Sequence, residues 1–146
     1  MFLGEYHHSI DAKGRLTVPA RFRQLLEDGG YITMGFDSNV VVMPKEYFEA
    51  RSKVLQEQNI TDLRMRQLSR LWFSQAERIA PDGSGRIMVP QFLRNKRGLD
   101  ADVVLVGSGD YFEIWPPAEW NEEAARIMKD AAEGYSEIDM SASGNG

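Results

Sequence analysis

Residues 10–19 read IDAKGRLTVP and residues 81–90 read PDGSGRIMVP. Aligned, Asp11, Gly14, Arg15, Val18 and Pro19 fall on Asp82, Gly85, Arg86, Val89 and Pro90. In each copy an Asp opens a tight turn, a Gly supplies backbone angles that other residues resist, and an Arg leaves the turn into a short apolar strand. The repeat constrains the fold: a 146-residue chain is expected to build two pseudo-equivalent halves. Each half alone buries too little surface to be comfortably stable, so the halves, or several chains, are expected to share a core.

The flanking segments repeat as well. Leu16 and Val18 alternate with Arg15 and Thr17, which sends the aliphatic pair inward and leaves Arg15 and Thr17 facing out. Pro19 then opens a short helix over ARFRQLLED, with Phe22, Leu25 and Leu26 as its apolar stripe, closed by Gly29 and Gly30. YITMG and NVVVM form a hairpin through Phe36, Asp37 and Ser38, and Pro44 opens a longer helix with Tyr47, Phe48, Val54 and Leu55 on its buried side. After a second helix over 62–73 the plan returns: QFLRNKRG, the strands VVLVG and YFEIW, and a closing helix from about Ala118 into Ala132. The expected organisation is repeat 1 over 1–58, a helical connector over 59–76, repeat 2 over 77–134 and a disordered polar tail over 135–146.

The net charge of −5 argues at first against a nucleic-acid partner, but its distribution does not. Between Arg64 and Arg97 eight basic residues face only Glu77 and Asp82, whereas Glu119, Glu122, Glu123, Asp130, Glu133, Glu137 and Asp139 crowd the end. Polyanion binding follows the local field, although solvated helix faces would give the same pattern. With no cysteine, disulfides and thiolate metal sites are excluded. The start lacks a charged region followed by an apolar run, no segment is apolar enough to span a bilayer, and a cytoplasmic chain is expected.

Catalytic and cofactor motifs fare poorly. The glycines of residues 83–86, GSGR, lack the surroundings of a dinucleotide or P-loop site, and His7 and His8 are adjacent on an extended segment without further ligands at metal spacing. Asp11 and Asp82 could be a carboxylate pair across an axis, but an Asp beside an Arg in one turn is more simply a turn cap. The chain is expected not to be an enzyme and to need no cofactor or metal.

The Asp-x-x-Gly-Arg turn running into an apolar strand and a Pro, twice, behind an N-terminal MFLGEYHHSIDAKGRLTVPARFR, resembles the MraZ family of bacterial transcriptional regulators. The resemblance covers nearly the whole chain. It implies an α+β fold of two pseudo-repeated AbrB-like swapped-hairpin units, small β-barrels with flanking helices. It also implies a ring-shaped homo-oligomer that binds double-stranded DNA at repeated promoter boxes, associates with the nucleoid and represses its own division and cell-wall gene cluster. Carried over, Arg15 and Arg86 are the DNA-contacting arginines. Lys13, Arg21 and Arg23 hold the backbone in the first half, and Arg94, with Lys96 and Arg97, does so more weakly in the second. Asp11, Gly14, Asp82 and Gly85 order the turns. Gly83 and Ser84 replace Ala12 and Lys13 in the second copy, which loses a cation. The competing expectations are an AbrB-like antitoxin and a protein-binding scaffold without direct DNA readout.

Overall fold

The computed structural model describes residues 1–58 and 61–134, so the tail expected to be disordered lies outside the described residues. Residues Met1–Pro116 form one compact unit, and the final helix belongs to a second unit that starts at Pro117. In chain order the first unit contains β1 (Glu5–Ser9), β2 (Arg15–Thr17), α1 (Ala20–Leu25), β3 (Gly30–Met34), β4 (Val40–Pro44), α2 (Lys45–Gln56) and α3 (Leu63–Ser74). Then follow β5 (Glu77–Ile79), β6 (Arg86–Met88), α4 (Gln91–Arg97), β7 (Asp102–Gly107) and β8 (Phe112–Trp115). The second unit carries α5 (Pro117–Gly134). With α3 between them, β1–β2–α1–β3–β4–α2 and β5–β6–α4–β7–β8–α5 repeat one plan, so the fold is α+β and pseudo-repeated.

The strands of the two copies are interleaved. A six-stranded antiparallel sheet runs β1-β7-β8-β4-β3-β5, so each copy's central hairpin receives its edge strand from the other copy. The two hairpins meet where β4 pairs with β8, Val40 opposite Ile114. β2 and β6 form a separate two-stranded ribbon with Leu16 opposite Ile87. The strand after the first arginine turn therefore pairs mainly with its counterpart from the second copy. Its own preceding strand reaches it only at the Ile10–Leu16 bridge. A three-residue ribbon has too few hydrogen bonds to stand alone, and this one is held by the apolar side it turns inward.

That inner side closes the core. Leu16 and Ile87, with Val18 and Val89, pack on the sheet face presenting Ile32, Val42, Leu105, Phe112 and Ile114. Phe22 from α1 lies edge-on to Phe2 at 5.0 Å and tilted on Phe112 at 4.9 Å, which joins both copies at one point. Complete burial of such side chains contributes roughly 1.5–3 kcal/mol each before entropy is charged against it. Because each copy supplies half of this cluster, neither can keep its core without the other.

The opposite face of the sheet carries α2 and α3. Tyr31 from that face stacks on Phe48 of α2 at 4.0 Å, and Phe48 stacks on Trp72 of α3 at 5.3 Å. Trp72 donates Nε1–H to the Oγ of buried Ser52 at 2.9 Å. The ribbon and the α2–α3 pair thus lie on opposite sides of one sheet. The helix stripes are narrower than the sequence suggests. Leu25 is 37% and Val54 49% exposed, because α1 ends at Leu25 and α2 buries the Phe48–Ser52 side one turn apart. Asp62 caps α3 by accepting from the Arg64 amide at 2.9 Å, and none of the α3 side chains is fully buried.

Candidate nucleic-acid interface

The two arginine turns have the same hydrogen bonds. Asp11 Oδ1 accepts from the amides of Lys13 and Arg15, each at 2.9 Å, while Oδ2 accepts from Arg15 Nε at 2.9 Å. In the second turn Asp82 Oδ1 accepts from the amides of Ser84 and Arg86, each at 2.9 Å, and Oδ2 from Arg86 Nε at 3.1 Å. Each turn is closed by a Gly amide to the Asp carbonyl at 2.9 Å, Gly14 to Asp11 and Gly85 to Asp82. The Arg15 and Arg86 amides, first among several donors, hold the Asp11 and Asp82 carboxyls below their ordinary value.

This geometry decides what the arginines can do. The Asp takes only the Nε edge, so the guanidinium plane is fixed, and no described hydrogen bond occupies the two terminal nitrogens. A clamped fork of this kind is prepared for a bidentate acceptor such as a guanine edge or a phosphate.

Register places the forks together. Arg15 lies opposite Met88 and Thr17 opposite Arg86, and since Leu16 and Ile87 point into the core, those four side chains share the outer face of the ribbon. The turns are also tied directly: the Val18 amide donates to Gly85 at 2.9 Å and the Val89 amide to Gly14 at 2.8 Å. Gly14 and Gly85 have φ of 84° and 75°, a region L-residues with a Cβ enter at a cost.

The remaining predicted residues divide. Lys13 and Arg21 are exposed. Arg23 donates Nε to the Val18 carbonyl at 2.9 Å, and Arg94 donates Nε to the Val89 carbonyl at 3.1 Å. The half-buried Arg23 lies against Gly85 of the other turn, and Arg94 against Gly14, so both brace the ribbon. Arg97 is committed inward, donating to the Gly35 carbonyl at 2.6 Å, and Lys96 donates to Gln75 Oε1 at 3.3 Å. Arg64, Arg66 and Arg70 sit on α3, across the sheet from the ribbon. Thr17, which the alternation of its strand already turns outward beside Arg15, and Met88, which the sequence reading did not single out, complete the outer face; alternation with Ile87 is the signal that finds Met88.

Among the described residues no group of three or more His, Asp or Glu could hold a metal, and no helix is long and apolar enough to cross a membrane. The family model described as "MraZ protein, putative antitoxin-like" matches twice, over residues 1–71 and 72–137. A protein named transcriptional regulator MraZ from Dictyoglomus turgidum is 39% identical over 143 residues, covering 94% of this chain and 98% of its own. Those of the same name from Roseiflexus castenholzii and Heliobacterium modesticaldum are 43% and 39% identical, covering 90% and 96% of this chain and 92% and 100% of theirs. With a duplicated match and relatives aligned over nearly their full lengths, the chain belongs to the MraZ family.

Proposed function

We propose that this chain is a DNA-binding transcriptional regulator that presents the outer face of the β2–β6 ribbon to the duplex. One observation carries the reading: two arginine turns from distant parts of the chain are brought onto a single exposed ribbon, each fork pre-aligned by its own Asp. A two-stranded ribbon fits the major groove of B-DNA, and the forks at Arg15 and Arg86 would read base edges there. Lys13 and Arg21 supply phosphate contacts, while Arg23 and Arg94 act mainly by holding the strands that present the forks. The names of its relatives support the regulatory role.

Two forks make a weak ligand. A ring-shaped homo-oligomer multiplies them over repeated promoter boxes, so affinity comes from effective concentration. We assign the targets to the promoter of the chain's own division and cell-wall cluster, with repression as the outcome, in the cytoplasm at the nucleoid. Repeat 1 (1–58) and repeat 2 (77–134) each contribute one strand of the ribbon, and the stretch 59–76 links them. The test is footprinting and salt-dependent mobility shift on the upstream region. Arg15→Ala is expected to weaken binding by about 1–3 kcal/mol per engaged chain and to relax the base preference at the position it reads, while Lys13→Ala should flatten the dependence on salt. Undiminished binding by Arg15→Ala, or affinity indifferent to salt, overturns the proposal.

A further inference from the structure

The sheet face turned away from the β2–β6 ribbon holds a cavity that the proposed function leaves unused. Its floor is one row across three strands: Thr33 of β3 lies opposite Val41 of β4, and Val41 lies opposite Glu113 of β8. Thr33 stands two residues from Tyr31 and so shares its face, the one covered by α2 and α3. Tyr47 of α2, Trp72 of α3 and Tyr111 from the β7–β8 turn stand around this row and enclose about 180 Å³. The rings of Tyr47 and Tyr111 are 5.9 Å apart and inclined by 40°, which makes the wall aromatic.

Polar groups interrupt this apolar lining. Thr33 is 1% exposed and its Oγ1 has no hydrogen-bond partner, a state in which few buried hydroxyls are left. Asp37, in the β3–β4 turn at the rim, is exposed and in no described ion pair. Glu113 is oriented by Trp115, whose Nε1 donates to its Oε1 at 3.0 Å. Two cations border the cavity without lining it: Arg97 donates to the Gly35 carbonyl at 2.6 Å, and Arg51 lies over the Tyr47 ring at 5.0 Å. The field at the wall is nevertheless acidic. Burial first, then Glu113, Tyr47, Asp37 and Asp110, push the Tyr111 hydroxyl above its ordinary value, and no cation opposes them.

We propose that this cavity binds a small organic cation, a primary ammonium carried on a short apolar chain. One ammonium N–H donates to Thr33 Oγ1, and the charge is stabilised by the tyrosine rings and by the carboxylates of Asp37 and Glu113. The chain lies on Val41 and Met43, which complete the apolar part of the lining. A neutral molecule would leave the acids uncompensated, an anion would be repelled by them, and a quaternary ammonium has no N–H for Thr33. Because the cavity lies across the sheet from the ribbon, it is a site separate from the arginine forks. Its occupancy is read without DNA, so this proposal and the proposed function fail separately.

The test is saturation-transfer NMR on the full-length chain, a method suited to large assemblies, with n-butylammonium, n-butanol and butanoate as probes at fixed ionic strength. Butylammonium is expected to bind saturably, butanol about tenfold more weakly, and butanoate not to compete. Thr33→Val keeps the shape and removes the hydroxyl, and it should weaken butylammonium about tenfold, whereas Thr33→Ser should stay within about twofold of the parent. Thr33→Val takes away an unpaired buried group, so its urea midpoint should not fall. Asp37→Asn changes only an exposed turn residue and should weaken butylammonium about two- to fivefold. The proposal is overturned if butylammonium does not saturate, if butanol or butanoate binds as tightly, or if Thr33→Val or Asp37→Asn binds like the parent.

Discussion

The sharpest consequence of the geometry concerns Gly14 and Gly85, where alanine tests whether the turns are held as described. At φ of 84° and 75°, a Cβ costs about 1–2 kcal/mol from backbone sterics alone. It would also sit 2.9 Å from Arg94 Nη2 and 3.2 Å from the Val89 carbonyl at Gly14, and against the Arg23 guanidinium at Gly85. Arg23 and Arg94 must move, which endangers their bonds to Val18 and Val89 and the amide bonds that tie the turns, each contributing about 1 kcal/mol. We expect Gly14→Ala and Gly85→Ala each to lose about 2–4 kcal/mol, a drop of about 6–13 °C in Tm for a protein this size. Gly83→Ala is the control: nothing stands within 4 Å of its Cβ and its φ is not positive, so it should fall within about 0.5 kcal/mol of the parent. The assay is thermal and urea unfolding at one fixed protein concentration, because assembly makes Tm concentration-dependent. Equal losses at Gly83 and Gly85, or no loss at Gly14, would refute the reasoning.

Phe22→Ala removes the ring between Phe2 and Phe112 and should cost about 3–5 kcal/mol, with both copies unfolding in one transition in urea monitored by fluorescence and circular dichroism. Two separate transitions would contradict the shared core. Ser52→Ala strands the Trp72 indole N–H and should cost about 1–2 kcal/mol, read as a lower urea midpoint. The backbone amides of Arg15 and Arg86, with the other donors in each turn, hold the Asp11 and Asp82 carboxyls below their ordinary value, so their contribution to stability is present above the unfolded carboxylate value and is lost as pH falls through the folded one. Urea midpoints should therefore decline in acid, and Asp11→Asn with Asp82→Asn should show a shallower decline; an identical slope would count against the carboxylates as turn anchors.

The chain by itself determined the local chemistry. Asp at the turn, Gly at a positive φ and Arg leaving into an alternating strand are consequences of short-range sterics and hydrogen bonding, and they read directly from IDAKGRLTVP and PDGSGRIMVP. The inward direction of Leu16 and Val18 followed from the two-residue period. Only the tertiary structure decided the partners. That β2 pairs with β6, that β1 and β5 serve the opposite copy, and that Arg97 turns inward to Gly35 while Arg23 braces a distant turn depend on contacts between residues far apart in sequence. A duplicated sequence gives each strand two near-identical partners, its own or its twin's, and local preference does not distinguish them. The choice is made by the core, where interleaving lets both copies bury their apolar faces in one cluster.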